Sequence, residues 1–264
     1  MAAEPPQPRA EIAIVVEDGV TGPHPSDVAA TQQPAGTLTV MAEEFPPFSY
    51  MVGDRVVGIS ADIVCSILQK TNQPCSIQLV PFKRAYHNTK TKSGHVLFSV
   101  TRRKSRENDF KWVGPLISFE SVVFGRVEDA EKYPDLDAMR RASSIGVLSG
   151  GSAELLLRQL EFTNLVPHPL SFNNYRKLVY GRLELTTGSE WELMFRAKMN
   201  GLDVTSIKPL VAIARNEMYI AFNKKTPQAV VESWQYALDT LKKDGTYDRI
   251  VTKYKDNPPL PPVE

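Results

Sequence analysis

Hydrophobic and polar positions alternate over a few residues, then recur every three or four, and this change of period repeats along the chain. GTLTVMA, from Gly36, alternates as a strand does. SADIVCSILQKT, 60–71, has helical spacing, with Ser60 expected as its N-cap. CSIQLVP predicts a strand, FKRAYHNTKTKS a second helix and HVLFSV a third strand. The stretch between the first strand and the first helix, EFPPFSYMVGDRVVG, is expected to be a loop stiffened by Pro46 and Pro47 and turned at Gly53-Asp54. The pattern then recurs. SSIGVLSG and LELTTG predict strands, with helices SAELLLRQLEF and NNYRKLVYGR between them. EMYIAFNK is a return strand. The helices PQAVVESWQYALDTLKKDG and TYDRIVTKYKD close the pattern, with Gly245 as the stop between them and Thr246 as the second cap. NPPLPPVE cannot continue a helix.

Two strand-helix units followed by two closing helices predict a two-lobed α/β protein with a cleft between the lobes. Residues 37–118 with 226–264 are expected to form one lobe and 119–225 the other. Residues 1–36, rich in Pro, Ala, Gln and Gly, are expected to be a partly disordered extension, with IAIVV at 12–16 as a candidate edge strand.

Composition narrows the function. The 264 residues carry 31 Lys+Arg and 30 Asp+Glu, a net charge of +1, which argues against a nucleic-acid binder. No run reaches the ~18–20 apolar residues of a membrane span, and no signal peptide is visible at the N-terminus. The two cysteines, Cys65 and Cys75, lack zinc-ligand spacing, so no metal is expected. They are buried thiols in a reducing compartment or a bridge in an oxidising one. His24, His87, His95 and His168 match no nucleophile motif. No cofactor is expected.

In open α/β sheets ligands gather beyond the carboxyl ends of the strands. After the first strand stand Glu44, Phe45, Phe48 and Tyr50; after the second, Phe82 and Arg84. After the third, FSVTRRKSREN places Ser99 and Thr101 before four cations, Arg102, Arg103, Lys104 and Arg106. A guanidinium offers two parallel donors to a carboxylate, so one inward arginine suffices to select an anion. In the second unit, Gly151 and Ser152 open a helix whose N–H groups suit an anion. Ser189 and Glu190 are expected across the cleft from the arginines, where a carboxylate suits an ammonium group.

The blocks LTVMAEEFPPFSY, GISADIVCSIL, FSVTRRKSRENDFKWVGPL, GRLELTTGSE and YIAFNKKTPQAVVESWQYALDTLKKDGTYDRIVTKY come in one order over about 37 to 255. Together they resemble the bacterial extracellular solute-binding proteins of the polar amino-acid ABC transporter type. The resemblance implies a type II periplasmic binding protein fold: two hinged lobes, no catalysis, a monomer, a small-molecule ligand, and a membrane permease or a sensor protein as partner. It implies an extracytoplasmic home and so favours the Cys65–Cys75 disulfide. It puts Phe45 and Phe82 against the ligand, Ser99 and Thr101 beside its carboxylate, Arg106 as the clamp, and Gly151 and Ser152 near the second-lobe anion contact. Arg102 is a helper, while Arg103 and Lys104 coat the surface. Two positions depart from the pattern. Ser189, followed by Glu190, stands where an Asp usually holds the ligand's amino group, and Glu184 replaces another Asp. A carboxylate or another small polar solute is therefore the expected ligand class. Sensing in a signalling system, or dehydratase chemistry on a cyclic carboxylate with Glu190 as the acid, are the alternatives on the same fold.

Overall fold

The computed structural model describes residues 38–256 and 258–260. The apolar patch at 12–16, read above as an edge strand, lies outside them. In chain order the elements are β1 (Thr39–Ala42), β2 (Tyr50–Val52), β3 (Arg55–Val57), α1 (Ile59–Lys70), β4 (Ile77–Leu79), α2 (Phe82–Thr91) and β5 (His95–Thr101). There follow β6 (Phe110–Arg126), α3 (Leu136–Met139), β7 (Ile145–Leu148), α4 (Ser152–Gln159), β8 (Leu165–His168), α5 (Ser171–Val179) and β9 (Leu185–Gly188). The last are α6 (Glu190–Asn200), β10 (Ile207–Asn223), α7 (Gln228–Lys243) and α8 (Thr246–Asp256).

Eight strands join in the order β4-β1-β5-β10-β6-β9-β7-β8. The outer strands form two parallel trios, β4-β1-β5 and β9-β7-β8. Between them runs an antiparallel ribbon of β6 and β10, 17 residues each. One half of β10 pairs with β5, and the opposite half of β6 pairs with β9. The ribbon therefore belongs to both lobes.

Each trio has apolar cores of its own. Around the first, Val40, Val96 and Phe98 pack with Ile63 and Ile67 of α1 and Trp234 and Leu238 of α7. On its other face Ala85 of α2 covers Met41 and Leu97. Around the second, Ile145, Val147 and Leu185 pack with Leu157 of α4, while Tyr175 and Leu178 of α5 cover Val122 and Phe124. Helix α6 serves both sides. Leu193 joins the second lobe's core, and Phe195 meets the Tyr50 ring at 4.8 Å in the first.

Several local expectations change. Residues 50–57 form a hairpin turned at Gly53-Asp54 rather than a loop. Ser60 does not cap α1. It lies buried inside the first turn, and the free N–H groups of Ile59, Ser60 and Ala61 donate to the carbonyls of Pro47 and Phe48 at 3.0–3.2 Å. The preceding loop replaces a side-chain cap. Likewise Thr246 starts α8 but does not cap it; Asp244 accepts from its N–H at 2.9 Å. Hydrogen bonds from Thr246 and the nearby Lys70 hold the Asp244 carboxyl down to about 2.

Within the ribbon, β6 carries two extra residues around Gly114-Pro115, where the register with β10 shifts. Helix α7 satisfies the displaced backbone: Gly114 N–H donates to Gln235 and Lys242 donates to the Pro115 carbonyl, at 2.9 and 2.8 Å. Cys65 in α1 and Cys75 before β4 form a disulfide, with Cα atoms 4.9 Å apart. The closed loop spans 10 residues. Chain-entropy reasoning gives such a loop about 2.5 kcal/mol of stabilisation. The double variant Cys65→Ser, Cys75→Ser is expected to lose about that much in urea unfolding. An unchanged midpoint would show that the bridge constrains nothing.

Candidate functional site: the strand ends above the ribbon

The ribbon's register decides which strand ends meet. Strand β5 ends at Thr101, opposite Met218, which pairs across the ribbon with Ile117. Strand β9 ends at Gly188, opposite Val122. Both carboxyl ends therefore point toward the middle of the ribbon, from opposite lobes. Five residue steps along β6, from 117 to 122, separate them, roughly 17 Å of extended chain. Loops after the strands of either lobe converge on that stretch, a span suited to a small molecule. The β1 loop reaches it too: Phe48 lies 5.5 Å from Phe119, and Phe45 lies 5.0 Å from Phe48.

Ser99 sits at a bulge. Between Leu97 and Val100 strand β5 has one residue more than the facing stretch of β10. Ser99 takes the strain, with φ at 59°. That region costs a non-glycine residue about 1 kcal/mol or more. Its Oγ is buried and has no protein partner. Bulges commonly re-aim a side chain beside a site. Ser99→Gly is expected to leave the protein as stable or up to about 1 kcal/mol more stable, while weakening ligand binding. A variant that is both less stable and binds unchanged would remove Ser99 from the site.

The cation cluster resolves into distinct roles. Arg102 is occupied. Its guanidinium forks onto Glu107, with Nε donating at 2.8 Å, and it lies 5.8 and 5.3 Å from the Trp112 and Tyr219 ring centres. That pairing holds the Glu107 carboxyl below its ordinary range. Arg102 thus fastens the 3₁₀ turn Lys104–Asp109 to the ribbon rather than helping with a ligand. Asp109 ties the same turn to α2 through Lys90 and the Tyr86 hydroxyl, both at 2.8 Å. Arg103 and Lys104 are exposed.

Arg106 differs from its neighbours. It is half-buried, and no carboxylate among the described residues lies within ion-pair distance. Its guanidinium sits 5.3 Å from the Phe82 ring centre and 5.5 Å from that of Tyr86, and donates to the Thr101 carbonyl at 3.2 Å. Burial, with the nearby Arg103 charge, pulls its pKa below the ordinary arginine value. The structure therefore brings Phe82, Thr101 and Arg106 together. Tyr86 was missed in the sequence, although it lies four residues after Phe82 and so on the same face of α2.

Other candidates fall elsewhere. Tyr50 is buried, and its hydroxyl donates to the Pro259 carbonyl at 2.5 Å, so it anchors the chain's end instead of facing a ligand. Arg84 and Glu44 are exposed. In the second lobe Gly151 is the N-cap of α4, but its N–H donates to Leu148, and the Gly150 N–H donates to Glu154 at 2.7 Å. That bond and Arg158 keep Glu154 below the usual carboxylate range. Ser152 remains exposed at the helix start. Ser189 is the N-cap of α6. Its Oγ accepts from Glu192 N–H at 3.2 Å, which leaves the hydroxyl proton and one lone pair. Glu190, next in line, is exposed. Glu184, by contrast, is structural: it accepts from Tyr133 and from the Ser143 backbone at 2.9 and 2.6 Å.

Among the described residues no group of acids, histidines and cysteines is arranged to hold a metal, and no helix is long and apolar enough to cross a membrane.

Solved structures share this architecture. A histidine kinase sensor domain with similarity to periplasmic binding proteins superposes with a TM-score of 0.69 at 18% identity, covering 86% of this chain and 98% of its own. A mutant of ArgBP from T. maritima gives 0.65 at 19% identity, covering 83% and 95%. The ancestral amino-acid-binding protein AncCDT-1, a precursor of cyclohexadienyl dehydratase, gives 0.64 at 17%, covering 83% and 95%. At these identities the likeness is one of fold, the two-lobed type II periplasmic binding fold. No curated protein sequence matches the chain. The family model for bacterial extracellular solute-binding proteins, family 3, matches residues 38–257. Two lobes joined by one ribbon, with the strand ends of both turned to its middle, agree with that match over nearly all of the described chain: the protein belongs to the bacterial extracellular solute-binding proteins, family 3.

Proposed function

We propose that the protein captures a small carboxylate-bearing solute, an amino acid or a close relative, between its lobes and delivers it to the membrane permease of an ABC transporter. One observation carries the reading: Arg106 is a half-buried guanidinium with no carboxylate among the described residues within ion-pair distance, resting on the Phe82–Tyr86 shelf at the end of β5. A partly desolvated charge without a counter-charge is costly. A ligand carboxylate removes that cost with two parallel hydrogen bonds. Phe45 and Phe82 wall the ligand, Ser99 and Thr101 flank its carboxylate, and Ser152, Ser189 and Glu190 face it from the second lobe.

The hinge is the middle of the ribbon, so the body that carries β1, β4 and β5 moves against the body that carries β7, β8 and β9. The expected bound at 226 falls too late, because residues 218–222 of β10 pair with β5 and pack in the first lobe. Helix α6, which packs on both, sets the resting angle. Ligand favours the closed form by no more than its differential affinity for the two states. The Cys65–Cys75 bridge supports an extracytoplasmic, oxidising location. The protein acts as a monomer, binding without turnover.

A thermal-shift screen of amino acids, organic acids and sugars tests the assignment. A specific carboxylate is expected to raise the melting temperature in proportion to its concentration over Kd. A rise with neutral sugars alone would overturn it. The likeness to a histidine kinase sensor domain supports sensing as the second reading. Loss of ligand uptake on deletion in the source cell favours transport; loss of a transcriptional response with uptake intact favours sensing. Turnover of a cyclic carboxylate by purified protein would make it a dehydratase instead.

A further inference from the structure

A second cluster of cations lies in the other lobe, and it shares no residue with the site above. His168 at the end of β8, Asn173, Arg176, Lys177 and Tyr180 along α5, and Arg182 in the turn to β9 line one pocket of about 180 Å³. Residues 173, 176, 177 and 180 recur at helical spacing, so α5 presents them on one face. The helix dipole accounts for Arg176 and Lys177, which stand in the last turn. It does not account for His168 and Arg182, which arrive from different elements. The turn is built to bring Arg182 back. Lys177's carbonyl accepts from the N–H groups of both Arg182 and Leu183, at 2.7 and 3.2 Å, and Gly181 supplies the positive φ of 68°.

None of the six lining residues is acidic. Among the described residues no carboxylate pairs with Arg176, Lys177 or Arg182. His168 contacts the Leu170 backbone through Nδ1, at 3.1 Å, and its Nε2 has no partner among the described residues. In a chain whose net charge is only +1, this is a local concentration of unneutralised donors.

We propose that this pocket is a second anion site, for a phosphate- or sulfate-bearing group. A monocarboxylate needs one guanidinium; a tetrahedral phosphate or sulfate group, whose oxygens point in several directions, uses several cations converging from different elements. The pocket has room for the oxyanion and a small attached group, and the exposed Tyr180 ring offers that group a face. The group comes from a free phosphorylated solute or from an anionic lipid headgroup.

Calorimetric titration of the full chain with pyrophosphate at low ionic strength tests the site, with binding to phosphatidylcholine vesicles, with and without phosphatidylglycerol, measured in parallel. The double variant Arg176→Gln, Arg182→Gln alters only exposed side chains. It is expected to weaken binding about a hundredfold, roughly tenfold for each guanidinium. Arg106→Ala is expected to bind pyrophosphate as the parent does, which separates this site from the cleft. Pyrophosphate binding lost in the double variant supports a free phosphorylated ligand. Phosphatidylglycerol-dependent vesicle binding lost in that variant supports a headgroup. Equal affinity in parent and double variant, or binding of neither probe, overturns the proposal.

Discussion

Arg106→Ala is expected to weaken binding of a carboxylate ligand by about a hundredfold or more, with the unfolding midpoint unchanged. The size follows from removing one partner of a desolvated charge pair, typically about 2–5 kcal/mol. The fold should tolerate the loss, because among the described residues the Arg106 guanidinium makes no ion pair and a single hydrogen bond, to the Thr101 carbonyl at the end of β5. Arg106→Lys retains charge but loses the fork, so it is expected to fall between parent and alanine. Arg102→Ala provides the contrast. It breaks the Glu107 fork and the contacts to Trp112 and Tyr219, so the turn that carries Arg106 loosens. Its effect should appear in stability as well as affinity. Calorimetry on the three variants reads this. Unchanged affinity in Arg106→Ala would remove that residue from the site and with it the central claim about the ligand.

Gly58→Ala is expected to cost about 4 kcal/mol in stability. Gly58 holds φ at 132°, a conformation that costs a side-chain-bearing residue about 1–3 kcal/mol. A Cβ there would collide with the Phe48 carbonyl group, and the Ser49 nitrogen would lie 2.7 Å away. The neighbours are backbone, so they can yield only by moving the loop. That loop supplies the carbonyls that cap α1, and Gly58's own N–H donates to the Tyr254 hydroxyl at 2.8 Å. Each disrupted hydrogen bond adds about 1 kcal/mol. Because Phe45 and Phe48 sit on the same loop, ligand affinity should fall together with stability. Urea unfolding measures the first and calorimetry the second. A variant as stable as the parent would show that the loop is not fixed by this contact.

Much of the element order was legible in the sequence because each trio's strands and helices carry their own period. β1, α1, α2, β5, α4, α5, β9, α7 and α8 all fall close to where apolar spacing puts them. Strand β6 did not show itself. Its seventeen residues include Gly114 and Pro115, and much of its length is only partly buried, so the alternation is broken. Strand β10 was foreseen only from Glu217 on, because its first half is a mixture of half-buried and exposed positions without a clean alternation. Both depend on pairing with a distant partner, which no local period records. The hairpin of β2 and β3 lies in a stretch whose Pro46, Pro47 and Gly53-Asp54 read as a loop, and the edge strand β8, LVPH, carries Pro167 and no alternation.

The candidate site was legible as a set of places and not as a set of roles. Reading the positions after each strand named Phe45, Phe82, Thr101 and Arg106 as candidates, and the structure sets Phe82, Thr101 and Arg106 side by side. Nothing in FSVTRRKSREN says which of four cations has a partner, since Glu107 is one residue from Arg106 and five from Arg102. Residue type, spacing and the separation of Cys65 from Cys75 are properties of the chain, and they were enough to give two α/β units and the possibility of a bridge. The assignment of charge belongs to the tertiary structure. The ribbon brings Trp112 and Tyr219 to Arg102 and draws Glu107 there, while α2 lays Phe82 and Tyr86 under Arg106. A counter-charge is captured by whichever cation the surrounding packing can reach, and that depends on distances between elements remote from one another in the chain.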